Sequence, residues 1–223
     1  ETSTMPPLTG TYTILPPTRG EPPPVPHQRI PKFIPENWVY TDGSDIEGQP
    51  RLGAAVVHIP TATTIYIDDA GTEETRTIMR AELVAILTTL TTFVAHEWIG
   101  IFTDSLSSLQ AIQHHHTHPG ICSAKDYHHH MILLDSITDT LETRRLAGHR
   151  TTLHKIRAHS HIRGNDLADA AAKMAVRSFD TLPPQDTIRV DIGEVAPRPR
   201  YWVMYTVNPP PLEISPTTRR ISA

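Results

Sequence analysis

The stretch Trp38-Val39-Tyr40-Thr41-Asp42-Gly43-Ser44-Asp45 is the most informative part of the sequence. Its first four residues are aromatic or β-branched, which is typical of a buried strand, and Asp-Gly-Ser then favours a turn. Asp42 therefore lies at the end of a predicted strand. We expect the rest of the chain to be arranged around this carboxylate.

Three later acids occupy similar borders of predicted helices or strands. Side chains that end separate elements can meet where those elements converge, as the carboxyl ends of neighbouring parallel strands do. We therefore interpret the three acids, together with Asp42, as one metal site. They are Glu82 in Arg80-Ala81-Glu82-Leu83, Asp104 in Thr103-Asp104-Ser105, and Asp169 in Gly164-Asn165-Asp166-Leu167-Ala168-Asp169.

The bulk composition indicates a globular protein without a membrane segment. The chain has 223 residues, of which 38% are hydrophobic, and this is enough for one sizeable core. It contains no run of about 18 apolar residues, so we expect no membrane span. The single cysteine, Cys122, cannot form an internal disulfide, which suits a reducing compartment. We therefore expect an intracellular location, in the cytoplasm or the nucleus.

The charge of the chain is unevenly distributed. The formal net charge is −4, which by itself disfavours a nucleic-acid partner. However, residues 143–165 contain no acid and six lysines and arginines, among them Arg157 and Arg163. A solvated basic face and a phosphate-contacting edge beside the acidic site both explain this segment.

Proline marks the predicted domain boundaries. Of the 21 prolines, ten lie in residues 1–35 and eight follow residue 180. Proline removes a backbone donor and fixes φ, so proline-rich segments are typical of extended linkers. We predict a linker over residues 1–35, a folded domain over residues 36–180, and a proline-rich, partly docked C-terminal tail over residues 181–223.

Hydrophobic periodicity within that domain predicts the element order β-β-β-α-β-α-α-β-α. This order implies an α/β fold with a mixed five-stranded sheet, in which three antiparallel strands precede parallel ones, and with helices on both faces. The last helix has an alanine-rich inner face suited to close packing on the sheet. The predicted strands span about 38–42, 52–59, 63–67, 98–103 and 151–157. The first predicted helix has Glu82 in its first turn and ends near residue 96, and the others span about 106–114, 125–145 and 165–176.

The four acids suggest a hydrolytic metal centre. Carboxylates without competing thiolates suit a hard divalent cation, above all Mg²⁺. Two such ions can activate water on one side of a phosphodiester and stabilise the leaving oxygen on the other. We therefore predict phosphodiester hydrolysis. Acids packed this closely repel one another, so their full ionisation should depend on bound metal.

The four segments around these acids resemble the four sequence blocks of ribonuclease H, in the family's order and at similar spacing. The blocks are Thr41-Asp42-Gly43-Ser44, Arg80-Ala81-Glu82-Leu83, Thr103-Asp104-Ser105, and His159 followed by Gly164-Asn165-Asp166-Leu167-Ala168-Asp169. The resemblance implies a ribonuclease H-like fold in which Asp42, Glu82, Asp104 and Asp169 bind two Mg²⁺ ions, with Mn²⁺ as a substitute. It also implies cleavage of the RNA strand of an RNA/DNA hybrid, leaving 5′-phosphate and 3′-hydroxyl ends.

The last block is similar to the form found in non-long-terminal-repeat retrotransposons. It reads Ala158-His159-Ser160-His161-Ile162-Arg163-Gly164-Asn165, and proline-rich segments flank the domain on both sides. This likeness implies a place in a retroelement polyprotein that also carries a reverse transcriptase domain.

The resemblance also implies roles for residues around the acids. His159 matches the family histidine that assists proton movement and product release, and Asn165 lies one helical turn before Asp169, where it could orient that carboxylate or a ligand water. Many relatives read the RNA 2′-hydroxyl with asparagines where this chain has Ile78 and Met79, which leaves that role to backbone groups or Ser44. The remaining predicted substrate contacts are Thr77, which could hold a DNA phosphate, and Arg80, Arg157 and Arg163.

Two histidine-rich segments have two possible explanations. They cover residues 114–118 and 127–130. Imidazole ligands suit Zn²⁺, but consecutive helical residues point in different directions and cannot all chelate one ion. A second metal site and a solvated polar surface therefore both stay open.

Two alternatives to a hybrid-cutting enzyme also fit the fold. The first is a catalytically silent module that binds hybrid for a partner polymerase, although four mutually repelling acids are an unexpected feature of such a module. The second is a DNA-cutting nuclease or transposase of the same fold, which the position of Asp169 within Asn-Asp-Leu-Ala-Asp disfavours.

Overall fold

The structure is a computed structural model that describes residues 12–14, 37–69, 76–117, 130–158 and 161–190. In these residues the chain forms seven strands, four α-helices and two short 3-10 turns. The strands are β1 Tyr12–Ile14, β2 Trp38–Ser44, β3 Leu52–His58, β4 Thr63–Asp69, β5 Trp98–Thr103, β6 Arg150–Lys155 and β7 Thr187–Val190. The helices are α1 Ile78–Thr92, α2 Leu106–Thr117, α3 Met131–Leu146 and α4 Arg163–Ser178, and the 3-10 turns are Phe179–Thr181 and Pro184–Asp186.

All seven strands form one mixed sheet in the order β1-β6-β5-β2-β3-β4-β7. The strands β2, β3 and β4 pair in antiparallel fashion, and β2, β5 and β6 pair in parallel. The predicted α/β fold with a mixed sheet is therefore confirmed.

The sheet has two strands more than the five predicted. The strand β1 extends the sheet beside β6, and β7 extends it beside β4, both in parallel. Both are short edge strands in proline-rich segments, where a strand needs hydrogen bonds on one side only and neighbouring prolines are tolerated. They lie in the segments predicted as linker and tail, whose exact boundaries stay predictions.

Helices cover both faces of the sheet, as predicted. One apolar core lies between the sheet and the helices α1, α2 and α3, and includes Leu83, Ile101 and Leu134. The second lies under α4, where the predicted alanine face is buried. A Cβ atom on Gly53 of β3 would lie 2.3 Å from the Ala172 carbonyl oxygen, so this glycine permits the close approach of α4.

The helix α1 begins earlier than its apolar stripe predicts. It starts at Ile78, because the Thr77 side chain caps it by accepting a hydrogen bond from the Arg80 amide at 3.2 Å. Glu82 therefore lies in the second turn of the helix, within its buried segment.

Candidate active site

Strand register brings the first two acids to the same level of the sheet. The parallel strands β2 and β5 pair with Trp38 opposite Gly100 and Tyr40 opposite Phe102. The same offset aligns Asp42 with Asp104, which follows β5 immediately. Asp42 itself lies within β2 rather than at its end, because the pairing with β3 continues to Ser44.

The absence of a side chain on Gly43 lets Glu82 approach these acids. A Cβ atom on Gly43 would lie 2.7 Å from the Glu82 amide nitrogen and 2.8 Å from the Ala81 Cβ atom. Any other residue at this position would push α1 away from β2. Gly43 therefore fixes how closely the Glu82 carboxylate approaches that of Asp42.

The three carboxylates form one compact cluster. Ligand oxygens of Asp42, Glu82 and Asp104 all lie within 4.8 Å of one another, and the first two side chains are buried. Among the residues that the structure describes, no other group of three or more histidines, cysteines or acids could hold a metal ion. An all-oxygen set of this kind suits Mg²⁺ or Mn²⁺ rather than a soft metal.

Burial and mutual repulsion perturb these acids strongly. Burial, reinforced by the charges of Asp104 and Asp169, raises the pKa of Asp42 to about 7. Burial, reinforced by Asp42 and Asp104, raises the pKa of Glu82 well above its usual range. A divalent cation between the oxygens would remove the repulsion, so the electrostatics of the cluster fit a metal site.

The fourth predicted ligand, Asp169, stands apart from this cluster. It lies on α4, and both of its oxygens contact the Lys173 ammonium group, at 2.7 and 2.8 Å. Its charge still contributes to the raised pKa of Asp42. The structure thus gathers three of the predicted acids and leaves the fourth nearby, paired with a lysine.

Two neutral side chains support the cluster. The Thr103 hydroxyl donates to Glu82 Oε2 at 3.3 Å, and Asn165 Nδ2 donates to Asp104 Oδ2 at 3.2 Å. Asn165 therefore orients Asp104, whereas the sequence suggested Asp169 as its partner. Its own Oδ1 atom is buried and has no hydrogen-bond partner among the described residues. A buried acceptor beside these acids suits a ligand water.

Arg80 has a different place from the one its sequence block suggested. Arg80 is only 3% exposed, and its guanidinium donates to both oxygens of the buried Asp69, at 2.6 and 2.9 Å. The pair joins α1 to β4. The structure therefore shows a structural contact for Arg80, and its substrate contact stays a prediction.

The other predicted substrate contacts are scattered around the site. Thr77 contacts His130 Nε2 at 2.9 Å in addition to capping α1, and Ser44 is buried at the end of β2. Arg157 and Arg163 are exposed, after β6 and at the start of α4. His159 lies outside the described residues.

The basic segment 143–165 does not form one continuous edge. Arg144 is fully buried, and Arg145 pairs with Glu142 on the surface. Arg150 stacks over Trp98 at the start of β6. It lies five residues before Lys155, which ends the strand beside the carboxylate cluster. Only the later part of this segment reaches the carboxylate cluster.

Sequence reasoning did not single out Lys155 as a site residue. It pairs in register with Thr103 at the end of β6, beside the cluster. Burial lowers its pKa, while the nearby Asp104 and Glu82 carboxylates act in the opposite direction. Its position could be found only through strand register, because nothing in its local sequence sets it apart.

Two histidines of the histidine-rich segments, His115 and His130, make contacts between elements. His115 of α2 is buried, and its Nε2 atom lies 2.7 Å from Asp135 Oδ1 on α3. His130 contacts Thr77, as given above. Residues 118–129 lie outside the described part of the chain.

Comparisons with known proteins agree with this geometry. The family model described as RNase H matches residues 35–177, which cover the strands β2 to β6 and almost all of α4. No curated protein matches the chain. In the described residues, no helix is both long and apolar enough to cross a membrane.

Proposed function

The chain belongs to the ribonuclease H family, and from this premise we propose that it hydrolyses the RNA strand of RNA/DNA hybrids, leaving 5′-phosphate and 3′-hydroxyl ends. The family supports a nuclease that binds nucleic acid. The observation that carries the finer proposal is the cluster of Asp42, Glu82 and Asp104, in which Asp42 lies in β2, Asp104 follows the parallel strand β5, and Glu82 approaches from α1.

The proposed cofactors are two Mg²⁺ ions, with Mn²⁺ as a substitute. The clustered acids Asp42, Glu82 and Asp104 would hold the first ion, and Asp169 would contribute to the second. When bound, the ions supply a water of lowered pKa and stabilise the leaving 3′-oxygen.

The surrounding side chains position these acids and the substrate. The hydrogen bonds of Thr103 and Asn165 fix the orientation of Glu82 and Asp104. The free Oδ1 atom of Asn165 can accept a hydrogen bond from a ligand water. Lys155 places a positive charge beside the cluster, where the scissile phosphate would lie.

Two exposed arginines offer contacts to the substrate backbone. Arg157 and Arg163 are exposed and lie after β6 and at the start of α4, where they can bind phosphates. We propose a DNA-phosphate contact for Thr77, a role for Ser44 near the RNA strand, and for His159 the proton transfer and product release that its sequence block implies.

The biological setting is a retroelement. The support for it is sequence likeness alone, namely the last block and the flanking proline-rich segments. In that setting the domain would remove the RNA template beside a reverse transcriptase domain of the same polyprotein.

The test uses an RNA/DNA hybrid labelled on each strand in turn, with Mg²⁺ or with EDTA. Single-stranded RNA, duplex RNA and duplex DNA are tested separately as alternative substrates. We expect Mg²⁺-dependent cutting of only the RNA strand of the hybrid. Asp42→Asn should reduce this cutting by more than about 100-fold. Substitution of a residue that only hydrogen-bonds to a metal ligand typically lowers metal affinity or activity about 10–100-fold, and Asp42 is itself a proposed ligand.

Asp45→Asn is the matched control, because Asp45 is an exposed acid three residues away that pairs with Arg76. This variant should cut normally. Tight hybrid binding without cutting by the wild-type chain would favour the silent module instead, and cutting of duplex DNA would favour the DNA-directed nuclease.

A further inference from the structure

The two cation positions of the proposed site differ in whether a basic side chain already contacts their acids. Asp42, Glu82 and Asp104 face one another with no basic side chain hydrogen-bonded to any of them in the described residues. Asp169 instead has both oxygens against the Lys173 ammonium group. Lys173 thus occupies the coordination positions that a cation at Asp169 would need.

We propose that Lys173 is a resident counter-ion of Asp169 that a second divalent cation must displace, so that the two cations bind in sequence with unequal affinity. The proposal rests on the proposed function, since it concerns the metal site of that reaction. The first cation enters the three-acid cluster without breaking an ion pair. The second cation has to exchange with Lys173.

The geometry of α4 makes this exchange possible without a change of fold. Lys173 lies four residues after Asp169, so both side chains project from the same face of the helix. They are 44% and 35% exposed, which leaves the lysine free to swing into solvent. Exposed pairs of this kind are weak, so we expect Lys173 to lower the affinity for the second cation only about two- to fivefold.

The other lysine near the site does not have this role. Lys155 Nζ donates to the backbone carbonyl of Ile156 rather than to a carboxylate. It lies beside the cluster but blocks no ligand oxygen. The inferred competition therefore belongs to Lys173 alone among the described basic residues near the acids.

The test is a calorimetric titration of Mg²⁺ into the wild-type chain and three variants, without substrate. Lys173→Met should strengthen the weaker binding event about two- to fivefold and leave the stronger event within about twofold of its wild-type value. Lys173→Arg retains the charge and should behave like the wild type. Arg177→Met removes an exposed positive charge one turn further along α4 and should also change neither event.

Three results would overturn the inference. Weaker or unchanged binding in Lys173→Met would mean that Lys173 positions Asp169 rather than competing for it. Equal strengthening in Lys173→Met and Arg177→Met would mean that only the general charge matters. A single binding event in both the wild type and Lys173→Met would show that two cations do not bind one after the other. Failure of the proposed function is distinct from all of these, because it would show in the labelled-hybrid assay as a wild-type chain that does not cut the RNA strand, whereas the titration measures cation binding without substrate.

Discussion

Charged side chains are buried near both ends of α1. Like charges surround one of them, and hydrogen-bond acceptors surround the other. Near its start, Glu82 meets Asp42 and Asp104, and burial together with like charge raises the pKa of Glu82. Beyond its end, Arg144 is 1% exposed, and its guanidinium is surrounded by acceptors. The first arrangement is destabilising in the protein alone, and the second is not.

Hydrogen bonds account for the second arrangement. Arg144 donates to the carbonyls of Phe93 and Val94 at 3.1 and 3.0 Å, to that of His96 at 2.8 Å, and to the Thr151 hydroxyl at 2.8 Å. These carbonyls belong to the end of α1 and the turn after it, where a cation is favoured by the helix dipole.

The difference separates structural charge from functional charge. A buried charge that holds a fold needs partners of its own, because an unpaired one costs several kcal/mol. A group of like charges whose few hydrogen bonds leave their repulsion uncompensated favours an external counter-ion, and perturbed carboxylates of this kind are typical of active sites. Substitutions at the two ends of α1 and beside the acids test this difference.

The largest effect on stability should come from Arg144→Met. The substitution keeps apolar packing but leaves three carbonyls and a hydroxyl buried without their donor, so we expect a loss of about 3–5 kcal/mol in the free energy of unfolding. Urea unfolding measures it. Arg145→Met is the control, since Arg145 is 39% exposed in its pair with Glu142, and should cost less than about 1 kcal/mol. Equal losses in the two variants would contradict the structural role.

A smaller loss of stability, with a clear loss of function, is expected for Gly43→Ala. The new methyl group would meet the backbone of α1 at 2.7 Å and push Glu82 away from Asp42. We expect a loss of about 1–3 kcal/mol and a reduction in hybrid cutting of more than about tenfold. Gly100→Ala is the control, because its nearest contacts would be ordinary ones at 3.4 Å. Unchanged cutting in Gly43→Ala would argue against the role of close packing at the site.

The smallest of the three effects should come from Thr103→Val, which removes the hydrogen bond to Glu82. We expect hybrid cutting to fall about tenfold while the fold persists. Thr41→Val is the comparison, because the Thr41 hydroxyl is equally buried but donates to the Phe102 carbonyl at 3.3 Å rather than to an acid. If both variants cut equally well, the hydroxyl of Thr103 does not support the site.

Local sequence was sufficient to predict most of the fold. The apolar, β-branched runs of β2 to β6 and the apolar stripes of the helices are local signals, so element order and sheet type were predictable. The strands β1 and β7 were not, because proline-rich composition hides short edge strands. Glu82 was predicted in the first turn of α1 and lies in the second, because Thr77 caps the helix ahead of its apolar stripe.

The chemistry of the site was predictable only in part. The four acids stand out through their sequence blocks, but side-chain pairing depends on tertiary contacts. Arg80 lies in the Glu82 block and still turns to Asp69, and Asn165 contacts Asp104 rather than the acid one turn away. Arg144 could not be distinguished from its exposed neighbour Arg145, because burial is decided by the turn after α1.

The most direct test of uncompensated charge at the site is the thermal unfolding of wild type and Asp42→Asn at pH 8, in EDTA and in Mg²⁺. The pKa of Asp42 rises from 3.8 to about 7 on folding, so the folded chain binds more protons than the unfolded chain between these values. Stability of the metal-free protein should therefore fall as the pH rises through this window, and should be lowest above it.

At pH 8 in EDTA we predict that Asp42→Asn unfolds several degrees above the wild type, because it removes one of the repelling charges. Mg²⁺ should raise the unfolding temperature of the wild type by mass action and leave that of the variant nearly unchanged. At pH 4 in EDTA the two proteins should differ little. A wild type that is at least as stable as Asp42→Asn in EDTA at pH 8, and that does not respond to Mg²⁺, would contradict the account.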